Sequence, residues 1–323
     1  MVRWGLLTTA RINDAIIAAA RASAVAEIAA VGSRDRERAE RYARDRSIPR
    51  AHGSYEELLA DPELDVVYVA LPNALHVEWS IRALEAGKHV LCEKPMSIDP
   101  AEVERAFDVA ARNERLLMEA FMYRHQPQVT RLRELVRAEA IGHPRLLRAL
   151  FSYTLDDPDD VRWTRTLGGG ALLDLGTYCV NLMRVLAGEP RNVQANEIAT
   201  ADGTDLRFAG LLRFPNDVLG EFSCGFDLPR RLEFEVLGSE GTLRLSPAFG
   251  SDDGVLTLHA GDGEDEVVAV PPTSRYRLQV ENFSRAVRGE EPPLLGREDA
   301  VGQARALAML RAAAERSDPS TLA

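Results

Sequence analysis

Between residues 2 and 120 short apolar runs alternate with helical stretches, and this alternation constrains the fold more than any other feature of the chain. Residues 2–7, 25–31, 65–71, 88–92 and 116–120 read as strands, and residues 13–22, 34–45, 54–60, 74–86 and 99–113 as helices. Strands separated by helices join through right-handed crossovers, which predicts a parallel sheet covered on both faces. Ligands of such sheets bind beyond the carboxyl ends of the strands. Three segments fall at those ends: residues 5–13, Pro72 with Asn73, and Glu93-Lys94-Pro95.

After Pro127 the pattern changes. Residues 127–138 and 173–187 read as helices. Residues 144–152, 193–198, 205–214, 218–226, 231–237, 242–245, 254–260 and 266–270 read as strands punctuated by Gly, Pro, Asp and Asn. That spacing predicts an open, mainly antiparallel sheet. Residues 274–288 and 298–316 close the chain as helices. The expected fold class is α/β: an N-terminal Rossmann domain (a doubly wound parallel sheet) over residues 1–121, and a C-terminal α/β domain built on the open sheet over residues 122–323. The last helix is expected to pack back on the first domain.

The chain has 323 residues, 46% of them hydrophobic, enough for two cores. A formal net charge of −11 argues against gripping nucleic acid through the overall field. Cys92, Cys179 and Cys224 show no CxxC spacing, so neither a disulfide framework nor a structural zinc is expected, and a cytoplasmic location fits. No window of ~18 apolar residues suggests a membrane span, and no basic, then apolar, leader suggests a signal peptide. No cluster of His, Cys, Asp and Glu has metal spacing, so the expected mechanism is metal-free.

A dinucleotide fold places glycines after its first strand so that backbone amides approach a pyrophosphate. Here Thr8, Ala10 and Asn13 stand in the three glycine-like places, and Thr8, Thr9, Ala10, Arg11 and Ile12 form the candidate loop. Small side chains still permit close approach, and the Thr8 and Thr9 hydroxyls suit phosphate oxygens. Ser33 and Arg34 follow the second strand, where NAD-selective folds carry an acid. A hydroxyl and a guanidinium suit a 2′-phosphate, which predicts NADP, with NAD as the alternative; Asp35 next door works against that selectivity.

A lysine just past a buried strand and a distant tyrosine form a physical recipe for moving a proton while a hydride moves. The phenol is acid or base, and the ammonium stabilises the phenolate. Lys94 and Tyr178 are those residues, with Asp174 expected to orient the substrate or the lysine. Leu71, Pro72, Asn73 and His76 line the expected cofactor side. Glu93 is expected to contact ribose or position Lys94, and Trp163, beside Arg162, to stack on a sugar or a nicotinamide. Tyr153 and Tyr276 have weaker claims.

Residues 4–13, Pro72-Asn73-Ala74-Leu75-His76, residues 87–95, residues 118–124 and residues 168–178 resemble the Gfo/Idh/MocA oxidoreductases. The likeness is to the branch that holds glucose–fructose oxidoreductase, NADP-dependent xylose dehydrogenase and dimeric dihydrodiol dehydrogenase. It implies that Lys94 is the active-site lysine, that Pro95 sits under the nicotinamide, and that Tyr178 transfers the proton where inositol-dehydrogenase-like members carry histidine. Asp174 matches the upstream carboxylate of that motif. The resemblance also implies a homodimer or homotetramer formed through the C-terminal sheet. Two departures stand out: Thr8 replaces a usual glycine, and Arg124-His125-Gln126-Pro127 replaces Arg-Phe-His-Pro. The expected activity is hydride transfer between NADP and a sugar, sugar derivative or related diol. The alternative is a non-enzymatic dinucleotide sensor on the same fold.

Overall fold

The computed structural model describes residues 1–261 and 263–317, which divide into two compact units. The first holds Met1–His125 and Ser274–Val301; the second holds Gln126–Thr273 and the chain from Gly302. The segment Ser274–Val301 thus returns to the first unit, and the first cut falls after His125.

In the first unit β1 (Val2–Leu6), α1 (Asn13–Arg21), β2 (Ala26–Gly32), α2 (Arg36–Arg46), β3 (Arg50–His52), α3 (Tyr55–Leu59), β4 (Val66–Val69), α4 (His76–Glu85), β5 (His89–Cys92), α5 (Pro100–Arg112) and β6 (Leu117–Glu119) follow in order. The strands pair in parallel in the order β3-β2-β1-β4-β5-β6. The strand order reverses beside β1, the switch point at which Rossmann sheets open a crevice. Val66–Val69 is buried throughout, as a strand covered on both faces requires. Helix starts are set by side chains: Asp35, Ser54 and Asp99 each accept an amide of the first turn of α2, α3 and α5. The helical pattern read from residue 74 begins instead as a 3-10 turn, Asn73–Leu75, before α4.

The second unit runs through α6 (Pro127–Arg137), β7 (Pro144–Thr154), α7 (Thr177–Ala187), β8 (Asn192–Ala199), β9 (Asp205–Arg213), β10 (Leu219–Gly225), β11 (Asp227–Gly238), β12 (Gly241–Ser246), β13 (Val255–Ala260) and β14 (Glu266–Val268). The sheet order is β14-β13-β12-β11-β7-β10-β9-β8; β10 pairs with β7 in parallel and the other neighbours are antiparallel. Burial alternates along β8 and β9, so one face makes the core and the other is open. Exposed Leu211 and charged Arg148, Glu221, Glu235 and Arg244 stand on the open face, in a depression of about 710 Å3. Two more helices follow among the described residues: α8 (Arg275–Val287), which packs on α1 and beside Trp4, and α9 (Arg297–Ser317). The stretch read as one helix from residue 173 starts as a π-turn, Leu172–Gly176, and only then becomes α7.

Candidate active site

In the first unit the candidate residues gather at the carboxyl ends of β1, β2, β4 and β5. After β1, the backbone N–H groups of Thr8, Thr9, Ala10, Arg11 and Ile12 donate to no protein acceptor among the described residues. None of these residues has a positive φ, so the conformation that demands glycine does not arise here. Asn13, fully buried, donates from Nδ2 to the Thr8 carbonyl at 2.5 Å and closes the loop on itself. A run of peptide N–H groups without protein acceptors among the described residues, ahead of α1, is the donor set that a pyrophosphate needs, so these residues fit a dinucleotide.

After β2, Ser33 is buried and its hydroxyl accepts from Asp35 N at 3.2 Å. Arg34 is exposed and forms no ion pair among the described residues. Asp35 is spent: its Oδ1 accepts from Arg38 N at 3.0 Å as the cap of α2. Sequence reasoning missed two further cations, because Arg38 and Arg41 hide in a helix dense with Arg and Glu. With Thr9 and Tyr42 they line a cavity of about 270 Å3, and neither pairs with a carboxylate among the described residues. Burial raises the Tyr55 phenol, and the positive charges of Arg34 and Arg38 partly reverse the shift, which places both cations near that ring. Guanidinium groups without a carboxylate partner among the described residues, around the end of β2, fit a 2′-phosphate.

His76 stands between the loops after β4 and β5. Its Nε2 faces the Leu71 carbonyl and its Nδ1 the Pro95 carbonyl, both at 2.8 Å, and the ring is 1% exposed. Burial is the main cause that pushes its pKa down to about 4, with the Lys94 charge adding to the shift against the two carbonyls. Pro72 and Asn73 open the 3-10 turn between β4 and α4. Glu93 accepts from the Tyr68 hydroxyl through one oxygen and from Lys94 N at 3.3 Å through the other. Lys94 is half-buried, directly after β5, and is followed by buried Pro95.

In the second unit Asp174, Arg162 and Tyr153 form one network. Asp174 Oδ2 accepts from Arg162 Nε at 2.8 Å and from the Tyr153 hydroxyl at 3.2 Å. Arg162 Nη1 also donates to Asp160 at 3.1 Å. Asp174 is the main reason that the Arg162 pKa rises further; burial, then Asp174, raises the Tyr153 phenol. Trp163 donates from Nε1 to the Asp157 carbonyl at 2.9 Å and its ring stands edge-on to Phe226. Tyr178 lies at the start of α7, 6% exposed, packed against the stacked pair Phe151 and Phe249 with ring centroids at 5.5 and 5.9 Å. The sequence pointed weakly to Tyr153 and not at all to Asp160, since nothing local marks either as a partner of Asp174 or Arg162. Among the described residues no group of His, Cys, Asp and Glu is arranged to hold a metal ion, the three cysteines are free, and no helix is long and apolar enough to cross a membrane.

The chain resembles known proteins over nearly its whole length. Residues 2–121 match the model of an oxidoreductase family with an NAD-binding Rossmann fold, and residues 129–244 match the model of the Gfo/Idh/MocA C-terminal domain. D-xylose 1-dehydrogenase (NADP(+)) 2 of Haloferax volcanii is 38% identical, over 97% of each chain. Trans-1,2-dihydrobenzene-1,2-diol dehydrogenase of Danio rerio is 35% identical over 76% of this chain and 74% of that one. KijD10, a 3-ketoreductase from Actinomadura kijaniata solved with NADP and TDP-benzene, superposes with a TM-score of 0.91 at 31% identity, covering 97% of each chain. With a Rossmann unit, an open-sheet unit and both halves matched, this chain belongs to the Gfo/Idh/MocA family of oxidoreductases.

Proposed function

We propose that the protein transfers a hydride between NADP and a carbon bearing a hydroxyl or carbonyl in a sugar, sugar derivative or related diol. The carrying observation is the cation set at the end of β2: Arg34, Arg38 and Arg41 without ion pairs, beside an Asp35 that is consumed as a helix cap. The NADP-linked names of the xylose dehydrogenase and of the KijD10 complex support the same cofactor, and the xylose and dihydrodiol enzymes support the substrate class. Thr8–Ile12 amides would hold the pyrophosphate, and Asn73, Glu93 and Pro95 would border the ribose and nicotinamide.

The cofactor, when bound, accepts or returns the hydride. Tyr178 takes the proton of the substrate hydroxyl during oxidation and gives it back during reduction. Its apolar aromatic surround keeps water from competing for that proton. Lys94 stabilises the phenolate and the developing alkoxide through its charge. Glu93, bonded to the Lys94 backbone, fixes where that lysine starts. Asp174 holds Arg162 and leaves Trp163, its neighbour, to border the sugar.

Two substitutions test this. Tyr178→Phe and Lys94→Ala each lower kcat by ~10²-fold or more, while Tyr178→Phe keeps its NADPH affinity by fluorescence titration. The panel is D-xylose, D-glucose, myo-inositol and trans-1,2-dihydrobenzene-1,2-diol. Full turnover by both variants would remove the assigned roles, and cofactor binding without turnover across the panel would favour a sensor.

We also propose that the open face of the second sheet pairs with a second copy. Leu211 is 53% exposed there, amid the ion pairs Arg148–Glu221 and Arg148–Glu235. Sedimentation velocity at micromolar concentration should show a dimer or tetramer; a monomer would dismiss the pairing.

A further inference from the structure

Buried polar side chains distant in sequence hold the turn between Gly170 and Tyr178 at both ends. At its start Asp205, 1% exposed, accepts the Leu172 N–H through Oδ2 at 2.6 Å. Its Oδ1 accepts from Arg311 Nη2 at 2.9 Å, and Arg311 Nη1 donates to Glu197 at 3.2 Å. Gly170, at φ +110°, lies against the same carboxylate. At its end Gln303, 1% exposed, donates from Nε2 to the Thr177 carbonyl at 2.9 Å and its hydroxyl at 3.0 Å. Gln303 Oε1 accepts from Asn181 and Arg184, so its amide cannot swing away. Gln303 and Arg311 stand about two turns apart on α9, one at each end of the turn they serve.

Between these grips the chain runs in π register, Leu172–Gly176. A π-turn holds one residue more than the α-turn it replaces and is rarely the relaxed state of a helix. Relaxation to α register would rotate every later residue by about 100° around the axis, Tyr178 included. A buried carboxylate is costly unless paired, and a hydrophobic side chain at 205 would leave the Leu172 N–H without its acceptor. The carboxylate and its arginine are therefore explained by what they hold.

We propose that Asp205, Arg311 and Gln303 are positioning residues that lock the π register of Leu172–Gly176 and so set the direction in which α7 presents Tyr178. The catalytic meaning of this lock rests on the reading of Tyr178 as acid and base. Arg311→Met and Gln303→Leu test it, with Arg311→Lys as the rescue and Asp205→Asn in place of Arg311→Met if that variant fails to fold. Two measurements are made: hydrogen–deuterium exchange of the peptide covering residues 170–178, and kcat on the fastest substrate of the panel. Exchange should rise about 10-fold and kcat should fall about 10-fold, with the NADPH dissociation constant within twofold of the parent and Arg311→Lys restoring both. Unchanged exchange, unchanged kcat, or a matching loss of NADPH affinity overturns the proposal. If Tyr178→Phe itself turns over normally, the acid–base reading fails, while the exchange result still decides whether these side chains order the turn.

Discussion

In the first unit the candidate phosphate donors are mostly main chain, the N–H groups of Thr8–Ile12, with the Arg34, Arg38 and Arg41 side chains standing beside them at the end of β2. In the second unit the strands alternate between core and open face, and the candidate residues are side chains bound to one another, Asp174 to Arg162 and Tyr153, Asp205 to Arg311. A site made of peptide groups depends on the fold beneath it. A site made of linked side chains depends on each link, and one atom too many in the wrong place disturbs it.

The largest expected effect tests the second half of that contrast. Gly170→Ala puts a methyl 2.0 Å from Asp205 Oδ1 at a φ of +110° that L side chains rarely adopt. It should destabilise the protein by about 3 kcal/mol, read as a lower urea midpoint. The substitution Thr8→Gly, in a loop with no positive φ, should move the midpoint by less than about 1 kcal/mol. Comparable losses would erase the distinction between the two units.

Acid comes next. Burial pushes His76 and His89 down to about 4 and His125 down to about 3, and all three belong to the first unit. Below pH 6.5 the unfolded chain takes up protons that the folded chain refuses, so stability falls as the pH drops from 6.5 towards 4. His143 and His259 of the second unit stand at the surface. Exchange measured from pH 7 to pH 4 should therefore loosen residues 66–96 before residues 205–245; simultaneous loosening would contradict the asymmetry.

The smallest effect sharpens the cofactor side. Arg34→Ala should weaken NADPH about 10-fold and leave NADH within twofold, because one charge-assisted pair is lost and the main-chain contacts remain. Equal losses for both cofactors would mean that the 2′-phosphate is held elsewhere.

The β–α alternation of the first unit was legible because fully buried parallel strands write long apolar runs, as in Val66–Val69. Strand β3 was not, since three residues at a sheet edge carry Arg50 and His52 and no apolar run. The alternation of the second sheet was legible strand by strand, but its order was not, because pairing of β10 with β7 in parallel leaves no local mark. Lys94, Tyr178 and Asp174 stood out as a motif. Arg38 and Arg41 did not, being two more charges on a charged helix. The π-turn read as ordinary helix because Leu172–Gly176 is leucine-rich around Asp174 and unbroken by proline. Asp205 and Arg311 each look like a surface charge; only the folded chain makes them partners across 106 residues.

The closed little loop after β1 has an evolutionary corollary. Because no φ at positions 8 to 12 is positive, a chain can shed the glycine signature there without straining its backbone, provided the side chains that replace it stay small where phosphate must approach. On the proposed reading, swapping one nicotinamide coenzyme for the other becomes a matter of redecorating the tip of β2 and the first turns of α2.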